Sequence, residues 1–156
     1  KITGFFTLKD VPDSAHVMLL STGTGVTPYI SMMRSQLAVE ARRKTVLIQG
    51  ARHSWDLCYR SELRSMDRLL DHFRYIPVIS RPQEEPIPWN GLTGYVQHIW
   101  DDGADVFGFK PTPEDTHIFL CGNPNMIEEA LEILKQRGFC ENKRNQPGQV
   151  HLEKYW

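Results

Sequence analysis

The chain reads as brief continuous apolar runs alternating with stretches in which apolar residues return at helical spacing. Residues 16–21 (HVMLLS) lie between the turn-forming Pro12-Asp13-Ser14 and a Gly/Thr cluster, the signature of a strand buried on both faces. From Pro28 the period changes. Ile30, Met33, Leu37 and Ala38 fall on one helical stripe that ends at the basic Arg42-Arg43-Lys44, which suits a helix C-terminus. Residues 45–49 (TVLIQ) predict a second strand, and residues 61–72 a second helix with Leu63, Met66, Leu69 and Leu70 inward. Residues 73–80 predict a third strand, which Pro77, lacking an amide to donate, pushes toward a sheet edge. The proline-rich stretch 81–88 is a loop, 96–100 a short helix, and 101–115 gives no regular signal. Residues 116–121 (THIFLC) form another strand. Residues 125–137 form a helix that buries Ile127, Ala130, Leu131 and Leu134 and stops at Gly138, and 150–155 a last strand. Strands alternating with helices across short turns predict a doubly wound α/β fold: a mainly parallel sheet with helices on both faces.

Composition narrows what such a fold does here. A length of 156 residues suits one domain, and 40% hydrophobic with 24% charged residues is an ordinary globular balance. The net charge of -1 provides no broad field for nucleic acid or an acidic membrane, so an anionic ligand needs a local constellation. No apolar stretch approaches the roughly 20 residues of a membrane span, and the expectation is a soluble, cytoplasmic protein. Cys58, Cys121 and Cys140 are widely and irregularly spaced, which predicts reduced thiols, and no His/Cys/Asp group has metal-ligand spacing. The apolar Gly4-Phe5-Phe6-Thr7-Leu8 so close to Lys1 suggests that a partner domain has been cut away upstream.

The chemistry concentrates at two strand ends. After the first strand, Gly23, Thr24, Gly25, Val26, Thr27 and Pro28 form a strand-to-helix turn whose amides can meet a pyrophosphate. The glycines let the backbone approach the ligand, Thr24 and Thr27 add hydroxyl donors, and Pro28 suits a first helical turn. This is not the GxGxxG fingerprint, since Pro28 stands where the third glycine would be. A tight turn needing glycine for conformational reasons is the simpler alternative; its place after the first strand favours nucleotide binding. After the second strand comes Arg52, and after the third Ser80-Arg81, where a fold preferring NAD would place a carboxylate. A guanidinium pairs with phosphate oxygens, so these positions favour NADP(H). Cys121 ends a buried strand just before the helix-opening Gly122, Asn123 and Pro124, with Met126 beyond, and Glu153 alternates with Tyr155 toward one face of the last strand.

Three segments together, STGTGVTP at 21–28, CGNP at 121–124 and the terminal EKYW at 153–156, resemble the bacterial ferredoxin/flavodoxin NADP reductases. The likeness runs from Gly4-Phe5-Phe6, similar to the segment joining that family's flavin barrel to its nucleotide domain, to the last residue. It implies an NAD(P)-binding domain over 1–156, with an N-terminal FAD-binding barrel absent from this chain. It also implies hydride transfer between NADPH and FAD, with ferredoxin or flavodoxin as the electron partner. By the resemblance, Thr24 serves the pyrophosphate and nicotinamide side, and Arg52 and Arg81 the 2'-phosphate. Cys121 and Glu153 flank the nicotinamide, Tyr155 stacks on the isoalloxazine, and Trp156 lies along FAD. The same residues leave two alternatives: the reductase module of a related diaphorase or oxygenase system, and a nucleotide-binding regulatory module with no chemistry of its own. His53 could approach the adenosine or be a plain loop residue, and Arg42-Arg43-Lys44 reads first as a solvated helix end.

Overall fold

The computed structural model describes residues 6–37, 43–102 and 104–154. Its centre is a six-stranded, all-parallel sheet in the order β4-β3-β2-β1-β5-β6, formed by β1 (His16–Thr22), β2 (Thr45–Ala51), β3 (Phe73–Ile79), β4 (Leu92–Thr93), β5 (Thr116–Gly122) and β6 (Val150–Lys154). The apolar runs become strands because both their faces are covered: Val17 to Leu20 and Ile118 to Cys121 are buried without interruption. Alternation along each strand then divides the core in two. Met18, Leu20, Ile48, Val78 and Leu120 face the helix α4 (Pro124–Gln136) and the turn 96–102. Val17, Leu19, Leu47, Tyr75, Phe119 and Cys121 face α1 (Thr27–Met32) and α2 (Arg60–Leu69), with Leu8, Val11 and Ala15 filling in from the N-terminal segment. The doubly wound α/β reading is therefore borne out.

Several local expectations change. The first helix does not follow its strand directly: a 3-10 turn, Gly23–Val26, leads into a six-residue α1, which loosens into a π-helical turn over Met33–Leu37. Ala38 and the remainder of the expected stripe fall outside the described residues. In α2 Leu63 is buried and Met66 and Leu70 pack beside it, but Leu69 is 80% exposed. At 100° per residue Leu69 lies about 120° from Leu63, off the stripe that 63, 66 and 70 share. Residues 96–102 are 3-10 rather than α, and a short α3 (Ala104–Phe107) and the two-residue β4 appear where no period could be read. Pro77 behaves as anticipated: β4 pairs with Val78 and Ile79, so among the described residues the outer edge of β3 at Pro77 has no strand whose ladder would need its amide. Arg43 is not part of a solvated run; it is 3% exposed, with Nη2 3.3 Å from Asp13 Oδ1.

Candidate functional site

Strand order reverses at β1, whose two neighbours β2 and β5 continue in opposite directions, and in open parallel sheets the crevice at such a point, beyond the carboxyl ends, receives ligands. Two glycines let the chain close tightly here. Gly122 has φ +137°, and a Cβ on it would collide with Oγ1 and the backbone of Thr22. A Cβ on Gly25 would run into the carbonyl of Cys121. The turn after β1 is thereby pressed onto the end of β5, and the Asn123 amide donates to Thr22 Oγ1 at 3.0 Å. Tyr29, fully buried in α1, adds a second link: its hydroxyl lies 2.8 Å from the Leu20 carbonyl and 2.9 Å from that of Phe119, one in each strand.

Beside this junction, on the α4 side of the sheet, opens a cleft of about 440 Å³. Its walls bring together five of the residues singled out from sequence: Gly23, Arg52, Ser80, Asn123 and Met126. Asn123 caps α4, its Oδ1 accepting from the Asn125 amide at 2.8 Å, and Pro124 occupies the first turn, so the positive end of a 13-residue helix borders the cleft. The Ser80 amide donates to the Ala51 carbonyl and the Arg81 amide to that of Arg52, each at 3.0 Å, which extends the β2·β3 pairing and brings the backbone of Arg81 beside that of Arg52; Arg52 lines the cleft and Arg81 lies next to the lining Ser80 without lining it itself. Arg81 has Nη1 3.5 Å from Glu84 Oε1.

Other singled-out residues lie elsewhere. Thr24 is exposed on the turn, while Val26 is wholly buried beneath it and Gly25 is spent on the contact with Cys121. The Thr27 hydroxyl donates to the Thr24 carbonyl at 2.9 Å, so its proton serves the turn itself. Pro28 is in the second helical position and, like Gly122 and Pro124, shapes the backbone without lining the cleft. Cys121 and Glu153 are register partners on β5 and β6, hence neighbours on one face, but that face is the α1/α2 side, opposite the cleft. Cys121 is fully buried near Tyr29 and Phe119, whose rings Phe6 contacts at centroid distances of 5.9 and 5.2 Å. Tyr155 and Trp156 fall outside the described residues.

Sequence reading missed the opposite wall. Gly94, Tyr95, Val96 and Gln97 close the cleft from the turn after β4, and Gly50 is a close-approach point under Val96. Gln97 Nε2 donates to Glu129 Oε2, and His98 Nε2 lies against Glu129 Oε1, both at 2.7 Å, clamping this turn to α4. Those hydrogen bonds hold the Glu129 carboxyl below the usual carboxylate range. Asp56 also lines the cleft, held by His53. His53 itself is 13% exposed and packed, not a plain surface residue. Among the described residues no group of three or more His, Cys, Asp or Glu side chains could hold a metal, and no helix is long and apolar enough to cross a membrane.

Residues 19–132 match the family described as the oxidoreductase NAD-binding domain. The chain is similar over its whole length to the flavodoxin/ferredoxin NADP reductase of Buchnera aphidicola subsp. Baizongia pistaciae, at 29% identity over 157 residues covering 63% of that protein. It is 33% identical over 153 residues to ferredoxin NADP reductase B of Sorangium cellulosum, covering 97% of this chain and 59% of the relative. In three dimensions it is similar to a ferredoxin NADP+ reductase from Neisseria gonorrhoeae with bound FAD and NADP, with a TM-score of 0.84 and 25% identity over 99% of this chain and 61% of the other. The chain thus spans about three fifths of the length of these relatives. The likeness drawn from 21–28 and 121–124 agrees with them.

Proposed function

The chain belongs to the oxidoreductase NAD-binding domain family, and from that premise we propose that it is the NADP(H)-binding part of a ferredoxin/flavodoxin NADP reductase. The observation that carries this reading is the cleft at the strand ends, lined by Gly23, Asn123 and Arg52, with Arg81 bound to the Arg52 carbonyl through its amide. The relatives named as flavodoxin/ferredoxin NADP reductases supply the reaction class and the electron partner, ferredoxin or flavodoxin. In a protein of their length, FAD would belong to the part that this chain does not span.

The residues fit a dinucleotide in stages. The Arg52/Arg81 rim suits a 2'-phosphate, because paired guanidinium donors match its oxygens. The exposed Gly23–Thr24 backbone and the N-terminal end of α4 suit the pyrophosphate. Met126 and Tyr95 give apolar walls for the adenosine. The turn 23–26 crosses the sheet edge against the backbone at the end of β5, so a ligand following it would pass from the cleft toward the end of β6 and Glu153. NADPH and FAD together would supply hydride exchange between nicotinamide C4 and flavin N5. Within that reading Glu153, half-buried at the end of β6, offers its carboxylate to the carboxamide, a role of orientation rather than bond-making, whereas the fully buried Cys121 thiol shapes the edge from beneath and does not meet the ring. Tyr155 and Trp156 keep the stacking roles that the resemblance implies.

The test is calorimetric titration with 2'-phospho-AMP and with AMP. The phosphorylated ligand should bind about 10- to 100-fold more tightly, and the Arg52→Ala, Arg81→Ala double variant should erase most of that difference. Equal affinity of the unaltered chain for both ligands would overturn the NADP assignment.

A further inference from the structure

The loops that carry Arg52 and Arg81 are not simply cationic: they also hold Asp56, Glu84 and Glu85, of which Glu84 lies against Arg81. The ring of His53 stacks on Trp55 at 4.4 Å and 9°, with Nδ1 3.3 Å from Asp56 Oδ2 and Nε2 2.7 Å from Glu84 Oε2. Glu85 Oε1 accepts from the Ser54 amide at 2.7 Å. The loops after β2 and β3 are thus laced together by side chains as well as by the Arg81 amide. Within this lacing the three acids differ. Glu85 is committed to a backbone amide and Asp56 to His53, but Glu84 spans two groups: one oxygen lies on His53, the other on Arg81. The hydrogen bond from His53 holds the Glu84 carboxyl below the usual range, so it is an anion at neutral pH.

Resting on the reading of Arg52 and Arg81 given above, we propose that Glu84 is a specificity-determining residue acting through Arg81: its carboxylate competes with a phosphate monoester for the guanidinium and so sets how far 2'-phosphorylated nucleotides are preferred. The geometry makes Glu84 a weak competitor and not a block. Its contact with Arg81 is a single one at 3.5 Å between half-exposed groups, the class of ion pair that contributes little. A phosphate monoester carries nearly two charges and can accept two parallel bonds from the same guanidinium, so it displaces the carboxylate. An unphosphorylated ribose presents no anion to Arg81, and its binding is indifferent to Glu84. Glu84 therefore taxes the phosphorylated ligand alone.

The isosteric Glu84→Gln variant tests this, because its amide oxygen still accepts from His53 while the charge is gone. The variant should bind 2'-phospho-AMP about two- to fivefold more tightly than the unaltered chain, with AMP affinity unchanged within experimental error. The gain should shrink as salt screens the charges, and it should vanish in an Arg81→Ala background, since the effect passes through that guanidinium. Weaker binding of 2'-phospho-AMP by the variant would mean that Glu84 pre-positions Arg81, which overturns the proposal, as would an unchanged preference. A gain that persists without Arg81 would also overturn it, pointing to a diffuse charge effect. Should the unaltered chain fail to distinguish the two ligands, the NADP reading falls and the role of Glu84 with it. A preference present but unmoved by Glu84→Gln sinks the role of Glu84 alone. A Glu132→Gln control, on the far end of α4, should leave both affinities unchanged.

Discussion

The two faces of the sheet meet the same carboxyl edge in opposite ways. On the α4 side the edge opens into a cleft lined by strand ends, loops and a helix N-terminus. On the α1/α2 side the same edge is sealed, with Cys121 at 0% exposure and Tyr29, Phe119 and Phe6 packed together. The difference comes from what each strand end is followed by. The chain leaving β1 crosses the edge as a tight 3-10 turn and descends into α1, plugging that side with Val26 and Tyr29. The chain leaving β5 enters α4 through an Asn-Pro cap that leaves the end of the helix exposed beside the loops from β2 and β3. One side thus leaves strand ends open beside a helix N-terminus, and the other holds the same edge rigid with packed side chains.

The most damaging way to break this division is at its hinge. Gly122→Ala places a side chain at φ +137° and against Thr22, and should destabilise the fold by about 3 kcal/mol while abolishing nucleotide binding. Thermal melting and 2'-phospho-AMP titration together would check it; a variant of normal stability would show that the junction is not as tight as described.

A smaller perturbation separates the faces by pH. His151, on the sealed side, is stacked on Phe119 at 4.3 Å and has Nε2 2.9 Å from His117 Nδ1. Burial, with His117 beside it, pushes its pKa down to about 4, and Asp10 opposes this only in part. Burial also lowers His117, with Arg43 adding to the effect. Because the folded pKa lies below the ordinary 6.5, the unfolded chain binds more protons between these values. Stability is then full above pH 6.5 and falls toward pH 4, by about 2–3 kcal/mol for His151. Denaturation midpoints across this range should drop more steeply for the native chain than for His151→Phe, which keeps a ring on Phe119 without titrating. Parallel slopes would contradict the assignment.

The mildest test is Tyr29→Phe, which strips a hydroxyl from between the Leu20 and Phe119 carbonyls and should cost about 1 kcal/mol. If the two faces act separately, AMP affinity will stay within twofold of the native value. A larger loss would show that packing under the turn sets the shape of the cleft.

The sheet was legible because its strands are buried on both sides, and unbroken apolar runs such as 16–21 and 116–121 can hardly be anything else between turn signals. The long stripe of α4 was legible for the same reason, its period surviving over 13 residues. What escaped was short or set by distant contacts. β4 has two residues and no period, and the wall at 94–97 is placed by distant contacts: the Gly94 amide on the Ile79 carbonyl, Val96 against Gly50, and Gln97 on Glu129, 32 residues onward. Motif reading found the turn 23–28 but gave all its residues to the ligand, whereas Gly25 and Val26 belong to the packing and Thr27 to the turn. Only the family resemblance brought Cys121 and Glu153 to one site; the structure makes them register partners at the ends of neighbouring parallel strands, an adjacency that no motif reports. That they share the sealed side depends on which helices cover each face of the sheet, which the local sequence around them does not carry.

The sealing of Cys121 has a consequence for thiol chemistry. Cys58 and Cys140 are exposed, so an alkylating reagent applied to the folded protein will label two sulfurs quickly and leave the third untouched. The slow sulfur is then a built-in gauge of breathing on the α1/α2 side: its labelling rate reports how often Phe6, Tyr29 and Phe119 part. Oxidants meet the same barrier, which slows their reaction with this buried thiol relative to the two exposed ones.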